Sequence, residues 1–186
     1  MSELTTFLKA VRENGRALQH APDALRDNEE LVLAAVATTG QALEFASPAL
    51  RGDRKVVWMA MKQSGRALQF ASLDLRENRH LVLHAVKHCR TQTDHVLAHA
   101  SESLRNDLEV VTASVQTSGL SLQHASEGMR GTRSVVVEAV KNSGLAIAFA
   151  SEAMKTDPEV LRNMKKLTRK EEKISQGGKS GKRERD

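Results

Sequence analysis

Apolar residues along this chain come in blocks that return at a fixed interval. Leu31, Val32, Leu33, Ala35 and Val36 are followed twenty-five positions on by Val56, Val57, Trp58, Ala60 and Met61. At about 100° per residue, each block covers well over a third of a helix circumference, a wider stripe than a helix resting on one core needs. It suits a helix held between neighbours in a stack. An Ala followed by Ser or Pro sets the register: Ala21-Pro22, Ala46-Ser47, Ala71-Ser72, Ala100-Ser101, Ala125-Ser126 and Ala150-Ser151. The spacings are 25, 25, 29, 25 and 25, so one interval is four residues longer.

Further columns keep step with that anchor. Leu18, Leu43, Leu68, Leu97, Leu122 and Ile147 stand three residues before it. Leu25, Leu50, Leu75, Leu104, Met129 and Met154 stand four after it. Asn28, Asp53, Asn78, Asp107, Thr132 and Asp157 follow at seven, and all are residue types that accept from the free N–H groups of a helix start. Pro158 fits the first helical position beyond Asp157. Gly40, Gly65, Gly119 and Gly144 are expected to close the helices in a left-handed conformation. Between cap and Gly lies room for a helix of about three turns. Before the anchor, segments such as Arg66-Ala67-Leu68-Gln69-Phe70 have room for about two more turns, and the Ser-x-x-Leu-Arg stretch turns the chain into the next cap.

These columns predict an all-α fold. It is a right-handed or shallow superhelical α-solenoid of short helix–turn–helix repeats of about 25 residues. Residues 1–14 read as an N-terminal half repeat, with Phe7, Ala10 and Val11 in helix register. Residues 15–164 read as six repeats with a four-residue insertion at 90–93. Residues 165–186 read as a basic, largely disordered tail, helical at first and irregular beyond Ile174. Lys165 occupies a column of Val and Met, so the apolar stripe ends there.

Composition narrows the picture. Aromatic residues make up 3% of the 186 and Tyr is absent, so the core must be aliphatic, which disfavours sheets. A single cysteine, Cys89, excludes an intramolecular disulfide and a Cys-rich zinc site. No signal-peptide pattern or membrane-length apolar run is visible, and a cytoplasmic setting is expected, with the nucleus as the alternative. The net charge of +5 is local: residues 165–186 hold nine basic and four acidic side chains, while the other 164 hold nineteen of each sign. The repeat body is neutral, and a reading of the whole chain as a basic nucleic-acid binder would average two unlike parts.

The pattern Ala-Ser-x-x-Leu-Arg-x-Asp-x-x-Val-Val-x-x-Ala-Val-Lys-x-x-Gly resembles a repeat family known as domain of unknown function 4116. Gly40 to Ser47, Asp53 to Val57 and Val135 to Gly144 carry the resemblance, which spans roughly residues 4–164. It implies a tandem helical repeat and brings no catalytic residues. Asp94 in the Gly column and the extra residues 90–93 depart from the pattern and point to a bend between the third and fourth units.

Few residues invite chemistry. A basic residue follows the Leu/Met column in every unit: Arg26, Arg51, Arg76, Arg105, Arg130 and Lys155. Such a ridge could bind phosphates or an acidic peptide. Each Arg could equally lie over its neighbour and bond turn carbonyls or an acid of the next unit, and its recurrence in every unit favours that structural task. His80, His84 and His88 stand at i, i+4 and i+8, a spacing that can chelate a metal, but the same columns elsewhere hold Glu30, Ala34, Thr38 or Lys55, Met59, Gln63, which reads as a solvated edge. Cys89 sits in a column of Thr39, Ser64, Ser118 and Ser143, a place for a small residue rather than a nucleophile. His20, Phe45, Phe70, His99, His124 and Phe149 share a half-buried ring column, unsuited to stacking bases.

A non-enzymatic interaction scaffold follows as the expectation. No cofactor, metal, small-molecule substrate or membrane is implied. The expected partner is another protein or peptide. The alternative is a nucleic-acid-associated repeat protein that uses the Arg ridge and the basic tail.

Overall fold

The computed structural model describes residues 2–88 and 96–177, with side chains for 2–87 and 96–167. Cys89, the insertion at 90–93, Asp94, His95, the His88 side chain and residues 178–186 lie outside the described residues. The described chain is all-α and built from repeated units, as the column pattern predicts.

Among the described residues seven longer helices form one row: α1 (Glu3–Glu13), α2 (Glu29–Thr38), α3 (Arg54–Gln63), α4 (Arg79–His88), α5 (Leu108–Thr117), α6 (Arg133–Asn142) and α7 (Pro158–Gly177). Each packs against the next, α1 on α2 through α6 on α7. A second row is made of 3-10 helices at Gly15–His20, Gly40–Phe45, Gly65–Phe70, Gly119–His124 and Gly144–Phe149, each packed on the long helix before it and, except for Gly65–Phe70, on the long helix after it. Six residues in 3-10 geometry make two turns, so the sequence estimate of length is met by a tighter helix. In the fourth unit the described part of this segment is an α-helical turn, Val96–His99. Single-turn helices such as Asp23–Arg26 and Pro48–Arg51 then lead into the next long helix.

The core runs through the stack as a ladder of equivalent positions. Leu18, Leu43, Leu68, Leu97 and Leu122 are fully buried, and so are Val32, Val57, Val82, Val111 and Val136. A unit of one short and one longer helix is too small to persist alone in water, so these neighbour contacts carry the fold.

The helix starts behave as their residue types require. Asn28, Asp53, Asn78 and Asp107 accept from the backbone N–H three residues on, and Asp157 accepts from Glu159 and Val160. Thr132 departs from the column, its hydroxyl donating back to the Gly128 carbonyl at 2.9 Å.

The glycines differ from expectation. Among the described residues no glycine has positive φ, so Gly40, Gly65, Gly119 and Gly144 are not left-handed helix closers. Thr39, Ser64, Ser118 and Ser143 end the long helices in extended conformations, and each Gly opens the following 3-10 helix. Space is the reason for Gly. A Cβ on Gly15 would stand 2.3 Å from the Ala35 carbonyl oxygen; the corresponding distances are 2.3 Å for Gly40 and Ala60, and 2.4 Å for Gly119 and Ala139. The 3-10 helix thus begins against the backbone of its own unit's long helix, and a buried Ala on that helix allows the approach. In the sixth unit Met164 replaces this Ala, and a Cβ on Gly144 would meet only Leu167 at 3.6 Å.

At the C-terminal end α7 continues to Gly177, three residues past Ile174, where the sequence pattern places the end of helix.

Candidate functional site

The basic column sits where one unit is tied to the next. In each case the backbone carbonyl of the Arg accepts from the Ser N–H of the following unit: Arg26 from Ser47 at 3.0 Å, Arg51 from Ser72 at 3.0 Å, Arg76 from Ser101 at 3.2 Å, Arg105 from Ser126 at 2.8 Å and Arg130 from Ser151 at 3.0 Å. These bonds form a ladder along the single-turn helices. It has no counterpart in the sequence reading, because no side chain signals it.

The Arg side chains stay close to the same turns. Arg26 donates from Nε to the Ala21 carbonyl at 2.8 Å and from a terminal nitrogen to the Gln19 carbonyl at 3.0 Å. Arg76 donates from Nε to the His99 carbonyl of the next unit at 2.8 Å. The Nε atoms of Arg51, Arg105 and Arg130 are buried with no hydrogen-bond acceptor. Arg51 lies beside Phe70, Ala71 and Ser72 of the following unit. Lys155 instead pairs with Glu152 at 2.7 Å. Between the first two turns a depression of about 520 Å³ is lined by Asp23, Arg26, Glu44, Ser47 and Arg51. Its two carboxylates offset its two guanidinium groups, which weakens any attraction for an anion.

The histidine edge is split. His80 is exposed, whereas the His84 ring is half-buried against Trp58, with ring centres 3.8 Å apart and planes tilted by 53°. Among the described residues no group of three His, Cys, Asp or Glu is placed to hold a metal, and no helix is long and apolar enough to cross a membrane. In the ring column Phe45, Phe70, His99, His124 and Phe149 are half-buried, while His20 is exposed.

The outward face of the long helices carries the remaining features. Arg79 at the start of α4 bonds Asp107, the cap of α5, at 2.9 Å and also reaches Glu109. Arg133 at the start of α6 bonds Asp157, the cap of α7, at 2.8 Å. The Arg79 bond, with the Val110 N–H, outweighs burial and holds the Asp107 carboxyl below its ordinary range. Burial pulls the Asp157 carboxyl upward, but the Val160 N–H, Arg133 and the Glu159 N–H together pull it further down. A depressed carboxyl stabilises the fold above its unfolded pKa of about 4 and loses that contribution as pH falls through the folded value. The melting temperature is therefore expected to drop between about pH 4 and pH 2. The double variant D107N/D157N, which keeps side-chain caps without charge, should show a shallower drop in thermal melts across that range.

A concavity of about 470 Å³ opens between α4 and α5, lined by Arg79, Lys87, Leu108, Thr112, Ala113 and Gln116 among others. Its floor is low because Thr112 and Ala113 stand in the columns that hold Trp58 and Met59 in α3, and Leu83 and His84 in α4. At its rim Leu108 is 52% exposed, in a column that elsewhere carries Glu29, Arg54, Arg79 and Arg133.

The model of the family described as domain of unknown function (DUF4116) matches residues 6–51, 53–92, 91–130 and 107–155. No curated protein and no solved structure matches the chain.

Proposed function

The chain belongs to the DUF4116 repeat family, and on that premise we propose that it is a non-enzymatic interaction scaffold. The observation that carries this reading is a division of labour among columns. Positions that hold the same residue type in nearly every unit are consumed inside the stack: the Gly and Ala of the close approach, the buried Leu, the Ser and Arg of the ladder, the cap. Positions that change from unit to unit face outward, as in the series Glu30, Lys55, His80, Glu109 and Ser134, all exposed. A chain that keeps its frame constant and varies its outer face is suited to recognising a partner along an extended surface.

Within that face the concavity between α4 and α5 is the contact region we favour, and its partner is a protein or peptide offering an apolar side chain. The basic column is assigned to holding successive units together. Thr112→Trp tests this, since Trp58 shows that its column accepts the ring. Proteins retained by the full chain are expected to lose at least tenfold enrichment with T112W, at unchanged melting temperature. Identical retention by both chains would remove the concavity from the account.

A further inference from the structure

The last long helix presents a surface unlike any other in the stack. On its inner side Val160 is fully buried, Met164 packs against the core and Leu167 approaches Gly144. On its outer side Arg162, Lys165 and Lys166 are exposed. Lys165 stands in the column of Val36, Met61, Val86, Val115 and Val140, all of them buried, the most exposed being Val86 at 4%. Arg162 stands in the column of Leu33, Trp58, Leu83, Thr112 and Val137. The face that would receive a further unit is basic here.

The register continues beyond those three residues. α7 is helical through Gly177, and Arg162, Lys165, Lys166, Arg169, Lys170 and Lys173 recur at helical spacing along it. At 3.6 residues per turn they occupy a band roughly 140° wide and about 16 Å long. Glu159, Glu171 and Glu172 are the acidic residues on this helix, so basic residues outnumber acidic ones two to one.

We propose that this band of α7 binds the phosphate backbone of nucleic acid without reading base sequence. Its ligand is a linear polyanion with regularly spaced single charges, matched by cations at successive turns. An anionic membrane is the competing polyanion, and the packing of α7 argues against it. A helix lying on a bilayer buries its apolar face among the acyl chains. Here Val160, Met164 and Leu167 are already committed to the stack. Leu161, 38% exposed, is the large apolar side chain left open on the described part of α7, and a single leucine is too little to seat the helix among acyl chains, which favours nucleic acid. The proposal is independent of the concavity between α4 and α5 and survives if that reading fails.

Fluorescence anisotropy of the full chain with a labelled duplex of about 20 base pairs, across a salt series, tests it. Five engaged phosphates give a log–log salt slope near −4.5, and basic residues beyond the helix would steepen it. The variant R162Q/K165Q/K166Q changes only exposed positions and keeps good helix formers. It should flatten the slope by about 2.7 and weaken binding more than tenfold at about 0.1 M salt. Circular dichroism and the melting temperature should match the parent. Three results overturn the proposal: no binding of duplex or single strand at about 0.05 M salt, an unchanged slope in the variant, or sedimentation with phosphatidylserine vesicles without binding to either nucleic acid.

Discussion

Gly40→Ala is expected to destabilise the chain by about 3 kcal/mol, while Gly144→Ala leaves stability unchanged or slightly raised. Both glycines open equivalent 3-10 helices, and neither has positive φ. The difference lies in what a methyl group would meet. At Gly40 it would stand 2.3 Å from the Ala60 carbonyl oxygen and 3.1 Å from the Ser64 nitrogen. Both are backbone atoms of one helical end, and neither can yield without shifting that helix. At Gly144 the nearest neighbour is the Leu167 side chain at 3.6 Å, an ordinary contact. Replacing Gly where the conformation permits Ala stabilises by about 0.4–1 kcal/mol through the unfolded state, so the two variants should differ in sign. For a chain of this size 3 kcal/mol corresponds to a melting temperature lower by about 6–12 °C. Equal losses at both sites would restore the left-handed account of these glycines.

Ser72→Pro is the second large effect, expected to cost about 2–3 kcal/mol, against a near-neutral Pro22→Ser. Ser72 has φ −56° and ψ 157°, and Ala71 before it is extended, so the local backbone already suits proline. Pro22, with φ −56° and ψ 156°, demonstrates that the turn accepts it. The loss comes from the N–H, which in Ser72 donates to the Arg51 carbonyl at 3.0 Å. Proline removes that donor, leaves the carbonyl unpaired and sets ring atoms against it. Among the described residues no single-turn helix precedes Pro22 to supply such a carbonyl, so Pro22 forfeits nothing. Urea melts of both variants beside the parent would decide it; S72P as stable as the parent would dissolve the ladder as a source of stability.

Much of the architecture was legible because repetition multiplies weak signals. One Asp before an apolar run says little, but Asn28, Asp53, Asn78 and Asp107 at matching offsets mark helix starts, and all four cap as expected. The buried Leu column was equally plain. Gly was misread because a glycine after a helix has two physical causes, positive φ and lack of room, and a sequence shows neither dihedrals nor the Ala60 carbonyl twenty residues away. The Ser-to-Arg ladder was invisible because backbone groups carry no letter; its one trace was Pro22 in the first unit of a Ser column. On the outer face, the space left by Thr112 and Ala113 was present in the columns, and only the packing of α4 on α5 turned those small residues into a concavity. Lys165, singled out as the end of the apolar stripe, gained its meaning once α7 was seen to bury the opposite side.

The ladder also bears on how this chain responds to force. Pulled from its two ends, the stack loads the Arg-to-Ser bonds in series, because each joins only one unit to the next. Units should therefore yield one after another, each releasing about 80–90 Å of chain for its 25 residues. The sixth unit, with Met164 in place of the close-packing Ala, lacks the close approach seen at Gly15, Gly40 and Gly119 and should yield before the first, second and fifth units.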